Sequence, residues 1–592
     1  MNNEAIHTYR QRANNFRAGE KKRSVQLSRT SVLRLLLFAG FAWFVYRAFS
    51  NRFAGLDILV ALVLLALFLS MVFVADSIRK KMKFLQQLVK INENEIAVAN
   101  GDPSFLSNGA ELAPPKGFPA DLNVFGKNSL FHILNRTGSQ SGKEQLGRRL
   151  AFPFSDAKDI RNYQACVKEM AGYIDFRQAL LAHTLLFKEE NTLAQLQTGI
   201  DANRFSELNN RFWSVMAVVW PLLSVTAIVY SASVNNYKSV LAATILGLGV
   251  IGLILKKINL LYYHISKRSY LYSQYAKCFR LINAQKFEHP YLQEKQEAIR
   301  HASGAFSKLS GLTGVFDLRL SLFSIFINGL FLWDLSCARA YLKWNEQYQP
   351  HIKNWFETLG EIELLNSIAA FYYNHPLFVF PQVVEDRIVI EATALGHPLM
   401  KEESAVANDV SIGGQAKLHL ITGSNMSGKS TFLRTIGLNL VLAQLGAPVF
   451  AKHFTFHPLR LLTSFHHIDS LEESTSYFYA ELKSLKEIID ALENPKPALV
   501  LLDEVMRGTN SKDKHDGSAL LIRKLLGFSC LSLIATHDTE LGVLADHHPG
   551  MIENFCFESE LANNELSFDF KMRKGVAQSK NATFLMQKMG IV

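Results

Sequence analysis

LHLITGSNMSGKST, residues 418–431, is the stretch from which the rest of the chain is read. Leu418, Leu420 and Ile421 form a short apolar run that predicts a buried strand. It stops at Gly423, and Phe432–Leu445 predicts a helix that ends near Gly446 and Pro448. The glycines therefore stand on a strand-to-helix turn at the spacing G-x-x-x-x-G-K-S. A phosphate-binding loop needs this context. Glycine lets the backbone curl until successive N–H groups point at one anion, and the helix N-terminus adds its partial positive charge. In this reading Gly423, Ser424, Asn425, Met426, Ser427, Gly428, Lys429, Ser430 and Thr431 cradle phosphates, Lys429 reaches the β- and γ-phosphates, and Ser430 holds Mg²⁺.

Two further strand ends fit the same chemistry. Ala498–Leu502 (ALVLL) is a buried-strand pattern that runs into Asp503 and Glu504. An acidic residue at such a tip binds the shell of a Mg²⁺ ion, and the next carboxylate positions or deprotonates an attacking water. Leu531–Ala535 predicts a third strand, ending in Thr536-His537-Asp538, where a polar side chain can sense a γ-phosphate.

In order, TGSNMSGKST, ESTSYFYAEL (residues 473–482), LLDEVMRGTNS (501–511) and ATHDTEL (535–541) resemble the motifs of the MutS family of ATPases. ALGHPL (394–399) and VANDV (406–410) resemble the family's approach to the phosphate loop, and FDFKMRKGVAQSKNATFLMQKMGI (568–591) its C-terminal strand and helix. DLNVFGKNSLFHILNRT (121–137) and residues 142–167 resemble the start of the family's helical core. The likeness covers roughly 121–190 and 265–592. It implies ATP and Mg²⁺ as ligands, and heads that pair as a homodimer. Ser476, within the segment 474–481, would then reach the partner's γ-phosphate. It also implies that Asn408 and His397 line the adenine end of the pocket, that Asp503 binds Mg²⁺ through water, that Glu504 is the base, and that His537 senses the γ-phosphate. Two features depart from the family pattern. Apolar spans occupy the place of the mismatch-recognition domain, so mismatch recognition is not expected. A second apolar hairpin stands about where the family's DNA clamp is inserted.

Composition agrees with a partly membrane-embedded chain of several domains: 592 residues, 48% apolar, 19% charged. Residues 1–30 carry seven Lys/Arg against Glu4 and Glu20, a net charge of +5, which suits a flank attracted to anionic lipid or, alternatively, a nucleic-acid arm. Val32–Phe49 and Leu56–Ala75 read as a transmembrane hairpin, as do Phe212–Tyr230 and Val240–Leu255. Basic flanks at Arg79, Lys80, Lys81 and Lys83 and at Lys256-Lys257 put the termini of the hairpins in the cytoplasm. Gly247, Gly249 and Gly252 lie inside an apolar run and are read as helix-packing residues rather than a dinucleotide motif. Leu261–Arg280, with tyrosines among basic residues, predicts an interfacial helix, and uncharged Leu320–Trp333 predicts a buried helix of the core. Five scattered cysteines without a CxxC pair leave no zinc site and no disulfide framework.

The expected architecture is an α/β P-loop NTPase domain with a mostly parallel sheet, following an all-α helical core, with four transmembrane helices in two hairpins. The expected boundaries are a basic cytoplasmic tail (1–30), hairpin 1 (31–76), the first part of the helical core (77–211), hairpin 2 (212–256), its second part (257–385) and the ATPase domain (386–592). The protein is expected in a bacterial-type inner (plasma) membrane, with its N-terminus and ATPase in the cytoplasm. The preferred function is a membrane-anchored MutS-like ATPase whose hydrolysis drives dimer opening and closing near double-stranded DNA. The runner-up is an ATP-driven dimer that remodels a membrane or protein, with no nucleic-acid role. A transport ATPase of the ABC type ranks lower, because SIGGQ (411–415) precedes the phosphate loop instead of following it.

Overall fold

The computed structural model describes residues 3–50, 55–187, 202–266, 268–321, 323–424, 426–465, 477–506, 509–562 and 565–578. Two long helices open the chain, α1 (Asn3–Ser50) and α2 (Gly55–Asn100). They run antiparallel, with Gly40 against Leu64, Gly19 against Leu85, and Arg47 paired with Asp57 at 3.3 Å near the turn. Residues 3–30 of the basic segment thus run on into the apolar stretch as one continuous helix. Ala5, Tyr9 and Ala13, one turn apart, are buried. Arg12 bonds Asp175 at 2.6 Å and Gln178 at 2.9 Å, which docks α1 on the core.

The helical core begins with α3 (Gln140–Ala151), α4 (Ala157–Ala171) and α5 (Ile174–Thr184). Ser139 caps α3 by accepting from the Gly142 N–H at 3.0 Å, and Asp156 caps α4 by accepting from Lys158 at 2.7 Å. The second apolar hairpin is α6 (Arg211–Val234) and α7 (Lys238–Ile265), joined through Asn235 in the left-handed region (φ 51°). α1, α2, α6 and α7 are the four helices among the described residues that are long and apolar enough to cross a membrane.

α8 (Ser269–Ala284), α9 (Ala302–Phe316), α10 (Ser324–Phe331) and α11 (Trp333–Asn374) complete the core. Here two expectations fail. Leu261–Arg280 is not one interfacial helix: the chain breaks at Ser266, and Tyr262, Tyr272 and Tyr275 are buried in the core, leaving Tyr263 and Tyr270 exposed. Leu320–Trp333 is not a buried core helix either. α10 packs on the second hairpin, with Gly329 so close to Gly247 that a Cβ on either would strike backbone. Its other face leaves Phe323, Ile325 and Phe326 exposed. Gly247 is therefore a packing glycine as expected, but Gly249 and Gly252 meet nothing within 4 Å. The 42 residues of α11 span about 63 Å, from this hairpin to the edge of the ATPase domain.

The strands of the C-terminal region are β1 (Gln382–Val383), β2 (Val389–Leu395), β3 (Asn408–Gly413), β4 (Leu418–Gly423), β5 (His453–Phe456), β6 (Arg460–Ser464), β7 (Ala498–Asp503), β8 (Cys530–Thr536), β9 (Ile552–Ala562) and β10 (Glu565–Lys574). A four-stranded mixed sheet has the order β1-β5-β2-β3. The main sheet has the order β10-β9-β4-β8-β7-β6, parallel apart from β10 at its edge. Helices α12 (Lys429–Gln444), α13 (Tyr477–Leu492) and α14 (Ser511–Leu526) cover it. Period-2 alternation divides the sheet between two cores. Leu499, Leu501, Leu531 and Leu533 join the core shared with α12 and the helical domain. Leu418, Leu420, Val500, Leu502 and Ile534 face α13 and α14. Glycine at 437 lets α12 press against Leu122 and Leu501, where a Cβ would lie 2.6 and 3.1 Å from their methyls, so the phosphate-loop helix is seated in the helical core.

Candidate nucleotide site

β4 lies where the chain's winding reverses: β8 and β7 are on one side, β9 on the other. In such a sheet the crevice at the carboxyl ends of the strands is where ligands bind. The loop after β4 is built for close approach. Gly428 (φ 105°) and Gly423 (φ 154°) adopt positive φ, and a Cβ at 423 would lie 2.6 Å from the Phe557 carbonyl oxygen and 2.9 Å from Ser427 Oγ. Met426, in the left-handed region at φ 67°, projects outward. Ser430 and Thr431 open α12.

The buried Lys429 ammonium donates to the carbonyl oxygens of Gly423 and Ser424, both at 2.8 Å. His537, after β8, also engages Gly423 O, through Nδ1 at 2.7 Å, and its Nε2 pairs with the Glu504 carboxylate. Glu504 follows β7 in the left-handed region (φ 53°), and its N–H donates to Ala535 O at 2.9 Å, which fixes the strand tip against β8. The structure therefore brings Lys429, His537 and Glu504, read from three separate motifs, into one cluster.

Asp503 and Ser430 are the residues that could hold Mg²⁺. The donor set fits a hard cation: Asp503 is buried and its Oδ1 has no hydrogen-bond partner among the described residues, nor do the buried hydroxyls of Ser424 and Ser427. Bound there, Mg²⁺ would offset the charge of β- and γ-phosphates.

A cavity of about 270 Å³ abuts the loop, lined by His397 and Asn408 together with Gly428, Thr431, Phe432, Phe557 and Phe570. Burial pushes the His397 imidazole down to about 4, helped by the Arg434 charge, and its Nδ1 accepts from Leu399 N–H at 3.3 Å, so it presents a neutral ring. Asn408 is engaged with β10: its amide donates to Phe570 O at 3.0 Å and its oxygen accepts from Met572 N–H at 2.8 Å. It thereby holds Phe570 (φ 54°), at an irregularity in β10, over the cavity and within 3.1 Å of a Cβ built on Gly428.

Phe570 and Phe557 were not singled out from the sequence, although FDF at 568–570 lies in a segment that resembles the family's C-terminal strand. Glu481 was read within a segment reaching towards a partner. At the end of that segment, Glu481 is buried and accepts a hydrogen bond from the Met506 N–H of its own domain, bracing the turn after Glu504. Asn425 and Ser476 lie outside the described residues.

Comparison with known proteins agrees with this geometry. Residues 419–589 match the family model "MutS domain V". The DNA mismatch repair protein MutS of Thermotoga sp. (strain RQ2) is 34% identical over 234 residues, 37% of this chain and 28% of that protein. Its counterpart in Thermosipho melanesiensis is 32% identical over 262 residues, 41% of this chain and 30% of that protein. Human MutS protein homolog 4 is 29% identical over 244 residues, 39% of this chain and 25% of that protein. The chain thus spans less than a third of the length of these relatives. The phosphate loop, its neighbouring strand tips and the covering β9–β10 pair fall within the matched stretch, so residues 419–589 of this chain carry a MutS domain V.

Proposed function

We propose that this protein is a membrane-anchored MutS-like ATPase. ATP binding and hydrolysis open and close a homodimer of its heads, which works on DNA close to the membrane without recognising mismatches. The observation that carries the reading is the convergence of Lys429, His537 and Glu504 on the end of β4. Lys429, now held by loop carbonyls, would turn to the β- and γ-phosphates. Glu504 would orient and deprotonate the attacking water. His537, bridging Glu504 to Gly423, would tie the state of the base to the γ-phosphate. Ser476 would complete the partner's site. The base would sit in the cavity beneath Phe570.

The four long apolar helices support the anchor, with the N-terminus and the ATPase on the cytoplasmic side of a bacterial-type inner membrane. The outward apolar surface of α6 and α7 favours a second reading, in which the dimer remodels a membrane or a protein and has no nucleic-acid role. ATP turnover by the full chain, in detergent and in liposomes, with and without duplex DNA, separates the two. Stimulation by DNA together with tight, salt-sensitive duplex binding supports the first reading. Stimulation by bilayer alone supports the second, and absence of ATP turnover in every condition sinks both.

A further inference from the structure

Between α1 and α2, at the level where their apolar stretches end, lies an open cavity of about 490 Å³. The apolar stretch of α1 begins at Val32 and that of α2 ends at Ala75. Arg23, Arg29 and Lys81 line the cavity, with Thr30, Ser77 and Ile78 beside them and Val74 at the end nearest the apolar stretch of α2; no acidic side chain contributes to the wall. Arg29, Lys81 and Ser77 have no hydrogen-bond or ion-pair partner among the described residues. The acids close by are already engaged: Asp76 with Lys80 at 2.5 Å, and Glu20 with Gln86 at 2.8 Å. Arg23 is held in place by Gln26 at 2.8 Å.

Three converging cations with no counter-charge, hydroxyls next to them, and an apolar wall continuing into exposed Val32, Leu33, Leu35 and Leu36 have one common complement. That complement is a phosphate ester carried on acyl chains. Basic pockets between transmembrane helices on the cytoplasmic side take such head groups. We infer that the α1–α2 cavity is a specific binding site for the head group of an anionic phospholipid, with Arg23, Arg29 and Lys81 on the phosphate and Val74 against the glyceride end of the chains. This rests on the membrane reading above. The site would clamp the two helices at the point where they leave the bilayer and enter the docked part of α1.

The test uses the full chain in nanodiscs of phosphatidylcholine, with and without phosphatidylglycerol, and measures retention of a labelled phosphatidylglycerol. The variant is R23Q/R29Q/K81Q. The control is R10Q/K21Q/K22Q, which removes the same charge from exposed positions of α1 outside the cavity. Wild type and control should retain the anionic lipid over phosphatidylcholine, and the cavity variant should lose about tenfold or more of that preference. Its thermal unfolding and ATP turnover in detergent should stay unchanged, and free inorganic phosphate should not displace the lipid. Equal loss in control and variant, displacement by inorganic phosphate, or no preference in the wild type would each overturn the site while leaving the anchor intact. Extraction of the wild-type chain from liposomes by alkaline carbonate would overturn the anchor, and the site with it.

Discussion

Lys429 and His537 converge on one acceptor: the carbonyl oxygen of Gly423 takes the lysine ammonium at 2.8 Å and the histidine Nδ1 at 2.7 Å, and the two nitrogens stand 3.5 Å apart. A buried ammonium needs anionic or carbonyl partners, and here loop carbonyls occupy the position that phosphate oxygens would take. Lys429→Ala should therefore leave the fold intact but lower ATP turnover on the order of a hundredfold or more, read as phosphate release by the full chain. Normal hydrolysis by that variant would mean the site lies elsewhere.

Glu504 is placed differently. It pairs with His537 and sits at positive φ, a conformation that a non-glycine residue holds only when its surroundings fix it. Those surroundings are the N–H bond to Ala535 O and the turn braced by Glu481. Glu504→Gln keeps the shape and removes the base, so ATP should stay bound while turnover falls by about 10²–10⁴. Filter-retained nucleotide after a single turnover should be ATP for this variant and ADP for the wild type.

Phe570 roofs the cavity beside the phosphate loop. Phe570→Ala should weaken ATP, ADP and adenosine alike, by about tenfold, as expected for the loss of one base–aromatic contact. Lys429→Ala should weaken only the phosphorylated ligands. Asn408→Ala should resemble Phe570→Ala, because the Asn408 amide is what holds the Phe570 backbone. Calorimetry with the three ligands distinguishes the two patterns.

The phosphate loop was legible because its determinants are local: strand, glycines, lysine and helix follow one another within residues 418–445. The roof of the pocket was not, since Phe570 reaches it from an edge strand about 140 residues later and through an irregularity that no periodicity marks. Hydrophobicity also could not say which neighbour covers an apolar run. Leu320–Trp333 is expected inside the core but leaves Phe323, Ile325 and Phe326 exposed, and Leu261–Arg280 is expected at an interface but is largely buried, because apolar composition alone does not specify what covers a run. The docking of α1 did leave a trace, in Ala5, Tyr9 and Ala13 at four-residue spacing, hidden under the strong basic charge of the same segment.

Acid should destabilise the ATPase domain before it denatures the chain generally. Burial depresses His397 and His419 to about 4, well below the ordinary value of 6.5. His419 lies in central strand β4 against the Phe555 ring, and at 3.7 Å Glu553 is too distant to hydrogen-bond it. The unfolded chain takes up protons at these sites below about pH 6.5, and the folded chain does not. Their contribution is therefore complete above that pH and is lost as pH falls towards 4, by at most about 3 kcal/mol for each ring. The unfolding midpoint should drop through this window, and His419→Val should flatten the drop; an unchanged profile in that variant would rule out the assignment.

Glu95 and Arg136 make the polar knot that joins the first hairpin to the long helix. Their bidentate pair is buried, Asn374 at the end of α11 donates to Glu95 at 2.8 Å, and Tyr9 of α1 donates to Asn374 at 2.8 Å. Removing one member leaves an uncompensated charge in the interior, a loss of about 3–5 kcal/mol, whereas removing both can be nearly neutral. Arg136→Met should accordingly lower the unfolding midpoint on the order of 10 °C. Arg136→Met with Glu95→Leu should recover most of it, with strong non-additivity between the two sites. Because the knot ties α1 and α2 to the end of α11 that meets the ATPase domain, the double variant separates stability from coupling. If the knot transmits the state of the membrane segments, the double variant should fold and hydrolyse ATP in detergent like the wild type, yet lose any change in turnover that bilayers induce. A double variant that keeps the bilayer response would confine the knot to stability alone.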